Sequence, residues 1–527
     1  MKTKIRNPIL KGFNPDPSLI FVDDTYYIAT STFEWNPGVQ IHFSKDLANW
    51  ETIGALEEKR LLNLTGIPSS GGIWAPCLSY NHQENLFYLV YTNFKSSYQM
   101  PFRDMDNFVV TSESIHGPWS DPVLLNCIGY DPFVFHDDDG KSYIVNMIWD
   151  YRQADAKSKS TGIILQEYDR KARCLFGEVH TIFKGTELGW TEGPNLYKRN
   201  GYYYLLTAEG GPHYEHASTL IRSRSIFGPY EMHPNKYLLT SAGSDCTLQK
   251  AGHASICENA GGKWYLAHLC ARPVKDSKCI MGRETAIQEV EWRDDDWLYL
   301  KNGSIFPEDF YTVDGDISIA GHSHELYTFE NDDFRKDFLT LREPYSAERF
   351  SVKAREGYLR IYGKESVNSV IEQAIICRRQ TAMSFEAKTI LSFAPENYSQ
   401  MAGLIYKYNE ANQFYCYLTY DEQKQAKVLS IYQADRGQYK LLETERQPII
   451  FGEEVCLKLT VEKEKGQFLY SVDGQNFCPV GDVFDTTICS DENARGFTGT
   501  MVGMACQDLN LHSNHADFKM FEYSDRE

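Results

Sequence analysis

Residues 192–209 read EGPNLYKRNGYYYLLTAE. A short apolar segment beside Gly and Pro is followed by a polar turn at 198–201 and then by an aromatic segment around Tyr204. Two short runs of strand-forming residues on either side of a Gly-containing turn are typical of a β-hairpin. The pattern returns four times elsewhere in the chain, with aromatic segments around Tyr27, Tyr88, Tyr143 and Tyr265.

The five hairpins recur in a constant phase. Their aromatic residues are separated by 61, 55, 61 and 61 residues. The residues that open the preceding segments are separated by 59, 56, 61 and 61, and they are Asp16, Ala75, Asp131, Glu192 and His253. Units of about forty to sixty residues that each hold several short strands are typical of β-propellers. We therefore predict a five-bladed propeller over residues 1–310. A large sandwich, the alternative, shows no such phase.

The phase is lost after residue 310. We expect a linker at 311–325 and a second domain at 326–527, where segments such as ANQFYCYLTYD (411–421) have the pattern of strands in an antiparallel sheet. The predicted fold class is all-β, with the five-bladed β-propeller followed by a C-terminal, jelly-roll-like β-sandwich.

Composition excludes several classes of partner and site. A formal net charge of -19 would repel nucleic acid and anionic membranes. The chain contains no run of about 18 apolar residues and no signal-like N-terminus, so we expect a cytoplasmic protein. Its 13 Cys residues show no CxxC pair, which indicates reduced thiols rather than disulfides or a zinc site.

In a propeller the innermost strands begin near the central axis, so the residues that open them should converge at one end. Hydrolysis of a glycosidic bond needs an acid for the leaving oxygen and a second carboxylate. We predict Glu192, the longer side chain, as the acid and Asp16 as the base, with Asp131 orienting and tuning the acid. An Asp beside Pro is usually a turn residue, and only the shared phase favours the catalytic interpretation.

Nine motifs, in order along nearly the whole chain, resemble glycoside hydrolase family 43, specifically its two-domain β-xylosidases. They are NPILKGFNPDPS, GGIWAP, YDPFVFHDDDG, WTEGPNLY, GHAS, HLCARP, MGRETA, GFTGTMVGM and HADFKMFEY. The resemblance implies inverting, exo-acting release of xylose from the non-reducing ends of β-1,4-xylooligosaccharides. It assigns the base to Asp16, the pKa-modulating role to Asp131 and the acid to Glu192. It also implies a homo-oligomer, either a dimer or a tetramer.

The resemblance further suggests a sugar pocket. Trp74 and Ala75 of GIWAP should wall it, Phe33 of STFEW should face it, and Arg283 of MGRET should donate to sugar hydroxyls. For the aromatic residues, packing between blades is the alternative. Arg283 could instead pair only with Glu284 or another acid.

The sandwich is expected to extend a lid over the pocket, with Phe497 of GFTG as its aromatic residue. In the family the residue corresponding to His253 hydrogen-bonds water or, in some members, ligates calcium. Because Ca²⁺ prefers several oxygen ligands, one imidazole gives it little support. We predict no required cofactor and leave a calcium ion near His253 as an alternative.

Two other functions remain open. An α-L-arabinofuranosidase, or an enzyme with both activities, would present the same three carboxylates to a sugar with similar hydroxyls. A non-catalytic carbohydrate-binding propeller is the second alternative, and the presence of all three carboxylates argues against it.

Overall fold

The computed structural model describes residues 1–153, 158–319, 324–442 and 453–526. An N-terminal strand, β1 (Lys2–Arg6), precedes five blades. Each blade is an antiparallel sheet of strands that follow one another along the chain, apart from one short strand that leaves blade one.

The strand bounds follow the chain. Blade one contains β2 (Ser18–Val22), β3 (Thr25–Thr30), β5 (Gly38–Ser44) and β6 (Glu51–Leu56), with a short strand β4 (Trp35–Asn36) between the second and third of these. Blade two contains β7 (Gly72–Asn81), β8 (Leu86–Phe94), β9 (Met105–Ser112) and β10 (Val123–Asn126). Blade three contains β11 (Phe133–His136), β12 (Ser142–Trp149), β13 (Ser160–Asp169) and β14 (Cys174–Phe183).

Blade four contains β15 (Glu192–Arg199), β16 (Tyr202–Glu209), β17 (Ala217–Ser223), β18 (Glu231–Met232) and β19 (Leu239–Thr240). Blade five contains β20 (Gln249–Glu258), β21 (Trp264–Ala271), β22 (Glu284–Trp292) and β23 (Leu298–Leu300), with a 3-10 helix at Lys275–Ser277. A further strand, β24 (Phe310–Asp314), pairs with β1.

The first strands of the blades form a closed ring. Strand β2 contacts β7, β7 contacts β11, β11 contacts β15, β15 contacts β20, and β20 returns to β2. At this last junction the Ser255 hydroxyl accepts the N–H of Leu19 at 2.8 Å and donates to the carbonyl of Pro17 at 2.7 Å. The predicted five-bladed propeller is confirmed.

The C-terminal region is a sandwich of two antiparallel sheets. Its strands are β25 (His324–Tyr327), β26 (Phe338–Leu341), β27 (Phe350–Ser351), β28 (Leu359–Tyr362), β29 (Ile375–Arg379), β30 (Ser384–Phe393), β31 (Gln400–Asn409), β32 (Asn412–Asp421), β33 (Ala426–Asp435), β34 (Gln438–Leu441), β35 (Glu454–Glu462), β36 (Lys465–Ser471), β37 (Cys478–Asp485), β38 (Met501–Asp508) and β39 (His515–Asp525). Helical turns are found at Asp333–Lys336, Thr486–Cys489 and, as the short helix α1, at Asp491–Ala494. No helix in the described ranges is long and apolar enough to cross a membrane.

The propeller and the sandwich share a sheet. The two-residue strand β4 leaves blade one and pairs with β26, so that Trp35 lies opposite Leu341 and Asn36 opposite Thr340. One of the two sandwich sheets therefore has a propeller strand at its edge. The region predicted as a linker, 311–325, contains most of strand β24 and the start of strand β25. Residues 320–323 lie outside the described residues.

A residue with a left-handed backbone precedes each inner strand or lies within its first part. The strand pairing defines equivalent positions in the five blades. The residue two positions after the repeated tyrosine pairs with one residue of the inner strand. From blade one to blade five, this inner-strand residue is Ser18, Cys77, Phe133, Asn195 and Ser255. Two positions before these lie Asp16, Ala75, Asp131, Gly193 and His253, with φ of 58°, 34°, 56°, 57° and 47°. The equivalent residue in blade four is therefore Gly193.

The expectation that Glu192 shares the repeat phase is wrong by one residue. Strand β15 pairs Glu192 with Ala208 but Asn195 with Leu206, a register shift typical of a β-bulge. Blade two has the same shift after Trp74. Glu192 is therefore equivalent to Trp74 and lies one position before the left-handed residue.

We predict that Gly193→Ala lowers the free energy of unfolding by more than the cost of placing an alanine in the left-handed conformation. An added Cβ at Gly193 would lie 2.7 Å from His253 Nε2, whereas one at Gly140, with φ of 86°, would meet nothing within 4 Å. Gly140→Ala is the matched control and should cost about 1 to 2 kcal/mol. Gly193→Ala should cost about 2 to 4 kcal/mol. Denaturant unfolding measures both, and equal losses would contradict the packing argument.

Candidate active site

A cavity of about 590 Å³ lies at the end of the axis where the inner strands begin, and both domains line it. Its lining includes all nine residues singled out from the sequence: Asp16, Phe33, Trp74, Ala75, Asp131, Glu192, His253, Arg283 and Phe497. Asp16, Asp131, His253 and Arg283 are buried, with at most 7% of each residue exposed. The cavity is large enough for a small sugar ligand.

Asp16 is held by two direct hydrogen bonds. Arg283 Nη1 donates to its Oδ1 at 2.9 Å and the Ser31 hydroxyl donates to its Oδ2 at 2.6 Å. His253 Nδ1 lies 3.6 Å from Oδ1. Burial alone would raise the pKa of Asp16, but Arg283, His253 and Ser31 hold it below the usual value. Asp16 is therefore an ionised carboxylate at neutral pH.

Ala75 contributes to the pocket through its backbone. With its left-handed φ of 34°, it donates its N–H at 2.8 Å to the same Ser31 hydroxyl that donates to Asp16. The predicted wall residue thus helps to orient the hydrogen bond that fixes the Asp16 carboxylate.

Glu192 and Asp131 have environments that favour retention of protons. The Tyr130 hydroxyl donates to Glu192 Oε2 at 2.9 Å, and the N–H of Gly193 donates to Asp131 Oδ2 at 2.9 Å. Burial raises the pKa of Glu192 to about 7, with the Tyr130 hydrogen bond opposing this rise and the charge of Asp16 adding to it. Burial, followed by the charges of Glu192 and Asp16, raises the pKa of Asp131 well above its usual range.

His253 is a neutral imidazole in this setting. Burial lowers its pKa, Asp16 opposes that shift, and Arg283 lowers the pKa further. These surroundings do not fit the calcium ion considered for His253, because the cationic Arg283 is bonded to the Asp16 oxygen that faces the imidazole. Within the described ranges, no three His, Cys, Asp or Glu side chains are grouped so that they could hold a metal ion.

Three rings, Phe33, Trp74 and Phe497, form what we call the aromatic wall. Their centroids lie 6.2 Å apart for Phe33 and Trp74, 6.4 Å for Phe33 and Phe497, and 5.5 Å for Trp74 and Phe497. Trp74 also stacks on Phe94 at 4.0 Å, which fixes its plane. Aromatic faces of this kind bind the apolar faces of sugar rings.

Phe497 comes from the sandwich, and its backbone is hydrogen-bonded to Arg283 and Ser70 of the propeller. Arg283 Nη2 donates to its carbonyl at 3.1 Å. Five residues earlier in the same segment, Glu492 Oε1 contacts Lys250 Nζ at 2.7 Å, and Glu492 Oε2 accepts the N–H of Cys279 at 2.8 Å. The C-terminal domain therefore supplies part of the pocket, and Arg283 binds both Asp16 and the Phe497 backbone.

Some lining residues were not singled out from the sequence; Tyr98, Arg103, Tyr130, Trp190 and Lys250 are among them. Tyr130 directly precedes Asp131, and Trp190 lies in the same motif as Glu192, so their motifs gave a usable signal. Tyr98 and Arg103 belong to the connection between β8 and β9, where no repeat marks them.

The arrangement holds two carboxyl groups in opposite protonation states. Asp16 is ionised near neutrality, whereas Glu192 has a pKa of about 7 and retains much of its proton. Such a pair can accept a proton from a nucleophile and deliver one to a leaving group.

Comparisons with known proteins agree with this chemistry. Residues 5–298 match the model of glycosyl hydrolases family 43, and residues 327–524 match that of the β-xylosidase C-terminal concanavalin A-like domain. A xylosidase/arabinosidase 43B of Humicola insolens is 46% identical over 535 residues, which is 99% of this chain and 97% of that protein. A β-xylosidase of Bacillus subtilis (strain 168) is 42% identical over 543 residues, which is 99% of this chain and 100% of that protein.

A solved structure shares the whole architecture. The crystal structure of a xylan β-1,4-xylosidase from Bacillus halodurans C-125 superimposes with a TM-score of 0.95 at 46% identity, covering 99% of this chain and 100% of the other. The family model covers more than half of the chain, and the relatives align along almost all of it. This protein therefore belongs to glycosyl hydrolase family 43 and is a glycosidase.

Proposed function

We propose that the protein is an exo-acting β-xylosidase that releases xylose from the non-reducing ends of β-1,4-xylooligosaccharides with inversion. The single observation that carries this proposal is that Asp16, bonded to Arg283 and Ser31, and Glu192, bonded to Tyr130, line one sugar-sized cavity. The names of the two-domain relatives support xylose as the sugar.

In the proposed mechanism Glu192 donates its proton to the glycosidic oxygen while the bond from that oxygen to C1 breaks. Water attacks C1 from the opposite face, and Asp16 accepts a proton from this water. Arg283 and Ser31 hold Asp16 in its ionised form and fix its orientation. Tyr130 holds the Glu192 carboxyl through the hydrogen bond to Oε2.

Asp131 would act through Glu192. Burial, followed by the charge of Glu192, raises the pKa of Asp131, so the two carboxyls interact and proton loss from one opposes proton loss from the other. The N–H of Gly193, the residue after Glu192, donates to Asp131 Oδ2. Asp131 therefore tunes the acid electrostatically and anchors its backbone.

Exo action follows in this proposal from the closed side of the pocket. The aromatic wall includes Phe497 from the sandwich. The N–H and the carbonyl of this residue are both hydrogen-bonded to the propeller. A wall of this kind would accommodate the terminal sugar but stop a chain from running through.

An α-L-arabinofuranosidase activity is the second candidate, supported by the xylosidase/arabinosidase name of one relative. Aryl β-D-xyloside and aryl α-L-arabinofuranoside distinguish the two activities when compared side by side. We expect kcat/KM to be at least about tenfold higher on the xyloside, equivalent to roughly 1.4 kcal/mol of transition-state binding. A preference for the arabinofuranoside would contradict the xylosidase proposal.

A cytoplasmic location and a homo-oligomeric state remain proposals. All 13 cysteines lie in the described ranges and none of them forms a disulfide there, which suits a reducing compartment. The family resemblance supports a dimer or tetramer.

The acid and base roles predict different losses in two variants. Glu192→Ala should slow xylobiose hydrolysis by at least about 10³-fold, since its leaving group needs a proton. The same variant should retain much more activity on an aryl xyloside with an acidic phenol. Asp16→Ala should slow both substrates alike, because each requires activated water. Equal losses on both substrates in the Glu192 variant would contradict its assignment as the acid.

Arg283 should control the acidic limb of the pH profile. Removal of its charge by Arg283→Gln takes away the main interaction that lowers the pKa of Asp16, so the base becomes ionised only at higher pH. The acidic limb of kcat/KM should move up by about one unit, and the alkaline limb should also rise because Arg283 lowers the pKa of Glu192.

Arg103→Gln is the matched control for that shift. Arg103 lowers the pKa of Glu192 but is not among the groups that shift Asp16, so only the alkaline limb should rise. An acidic limb that stays in place in the Arg283 variant would contradict the electrostatic role given to Arg283.

A further inference from the structure

Ser70 connects two of the three rings of the aromatic wall. Its carbonyl accepts the Nε1–H of Trp74 at 2.8 Å, and its hydroxyl accepts the backbone N–H of Phe497 at 3.0 Å. Ser70 itself is 1% exposed. One buried residue of the propeller therefore binds both a propeller ring and the ring that the sandwich contributes.

Glu34 fixes Ser70 and follows the third ring in sequence. Its Oε2 accepts the N–H of Ser70 at 3.0 Å, and the residue is 1% exposed. The preceding residue, Phe33, exchanges two backbone hydrogen bonds of 3.0 Å with Ile73, next to Trp74. Trp74 and Phe497 are thus hydrogen-bonded to Ser70, which Glu34 holds, and Phe33 is the residue directly before Glu34.

The sandwich holds Glu34 from the other side. The N–H of Arg342 donates to the Glu34 carbonyl at 2.8 Å, next to the pairing of β4 with β26. The Arg342 guanidinium is fully buried and donates to the carbonyl of Ile67 at 2.6 Å and to Glu410 Oε1 at 2.8 Å.

The carboxyl of Glu34 is costly to bury in its charged form. Burial raises its pKa to about 7, with Arg342 lowering it and Glu410 adding to the rise. Lys407 Nζ lies 3.4 Å from Glu410 Oε1, and burial raises the pKa of the pocket residue Tyr98, with the charge of Glu34 adding to the rise. A hydrophobic side chain would avoid this cost but could not accept the N–H of Ser70.

We propose that Glu34 is a positioning residue which, through Ser70, sets the spacing of the aromatic wall and couples the sandwich to the sugar pocket. The inference rests on the proposed xylosidase function, because that function defines the ligand of the wall. Glu34 does not line the cavity itself and acts only through Ser70 and the backbone of Phe33.

The test separates sugar binding from turnover. Glu34→Ala and Ser70→Gly should each raise KM for an aryl β-xyloside and the inhibition constant of free xylose by about tenfold, while kcat falls by less than about threefold. Glycine suits position 70, where φ is 62°, so that variant removes the hydroxyl without backbone strain. Glu34→Gln should keep KM within about threefold of wild type, because its amide oxygen can still accept the Ser70 N–H.

Glu343→Ala is the matched control at the same domain boundary. Glu343 Oε1 binds Lys59 Nζ at 3.0 Å and accepts from the Thr65 hydroxyl, but it contacts none of the three rings. Its loss should lower the free energy of unfolding and leave KM unchanged.

Two results would overturn the proposal: a wild-type KM in both Ser70→Gly and Glu34→Ala, or an equal rise of KM in Glu343→Ala. If Glu34→Ala does not fold, Ser70→Gly alone decides. A wild-type protein that does not hydrolyse the aryl xyloside would refute the proposed function, and isothermal titration with xylose would then test the positioning role separately.

Discussion

The active site depends on one backbone constraint: each inner strand of the propeller is accompanied at its beginning by a residue in the left-handed conformation. Asp16, Ala75, Asp131, Gly193 and His253 occupy this position in the five blades. Closure of the blades into a ring brings residues more than two hundred positions apart to one end of the axis. Asp and Gly tolerate this conformation better than most residues, so the backbone constraint and the required carboxylates are compatible at the same positions.

The partners of the buried carboxyl groups then give these groups different pKa values. Desolvation pushes the pKa of each one upward, and the difference between them comes from their partners. Asp16 has a cation and a hydroxyl bonded to it, whereas the hydrogen-bond partner of Glu192 in the described part of the chain is the neutral phenol of Tyr130. Arg283 links this electrostatic division to the shape of the pocket, because the guanidinium that stabilises Asp16 also binds the Phe497 carbonyl. Base strength and closure of the sugar site therefore share one side chain.

The sequence predicts the blades well because each hairpin carries its own signal, with a tyrosine, a polar turn and a fixed spacing. It places Asp16 and Asp131 by the same signal. Glu192 was assigned to the wrong phase, because the left-handed residue lies 11 positions before the repeated tyrosine in blades one and four but 12 positions before it in blades three and five. The pairing of β4 with β26 involves only two residues of each strand and could not be predicted. Partners such as Ser31 and Arg103 lie in connections whose positions depend on tertiary packing, and only the folded chain identifies them.

The central claim is that water, activated by Asp16, attacks the face of the sugar opposite to the leaving group that Glu192 protonates. Proton NMR during the first minutes of hydrolysis of xylobiose or an aryl β-xyloside reports this directly, since the anomer formed first is visible before mutarotation mixes the two. The mechanism predicts that α-xylose appears first and that the β-anomer follows slowly. Initial release of β-xylose would contradict inversion, and with it the assignment of Asp16 as a base rather than a nucleophile.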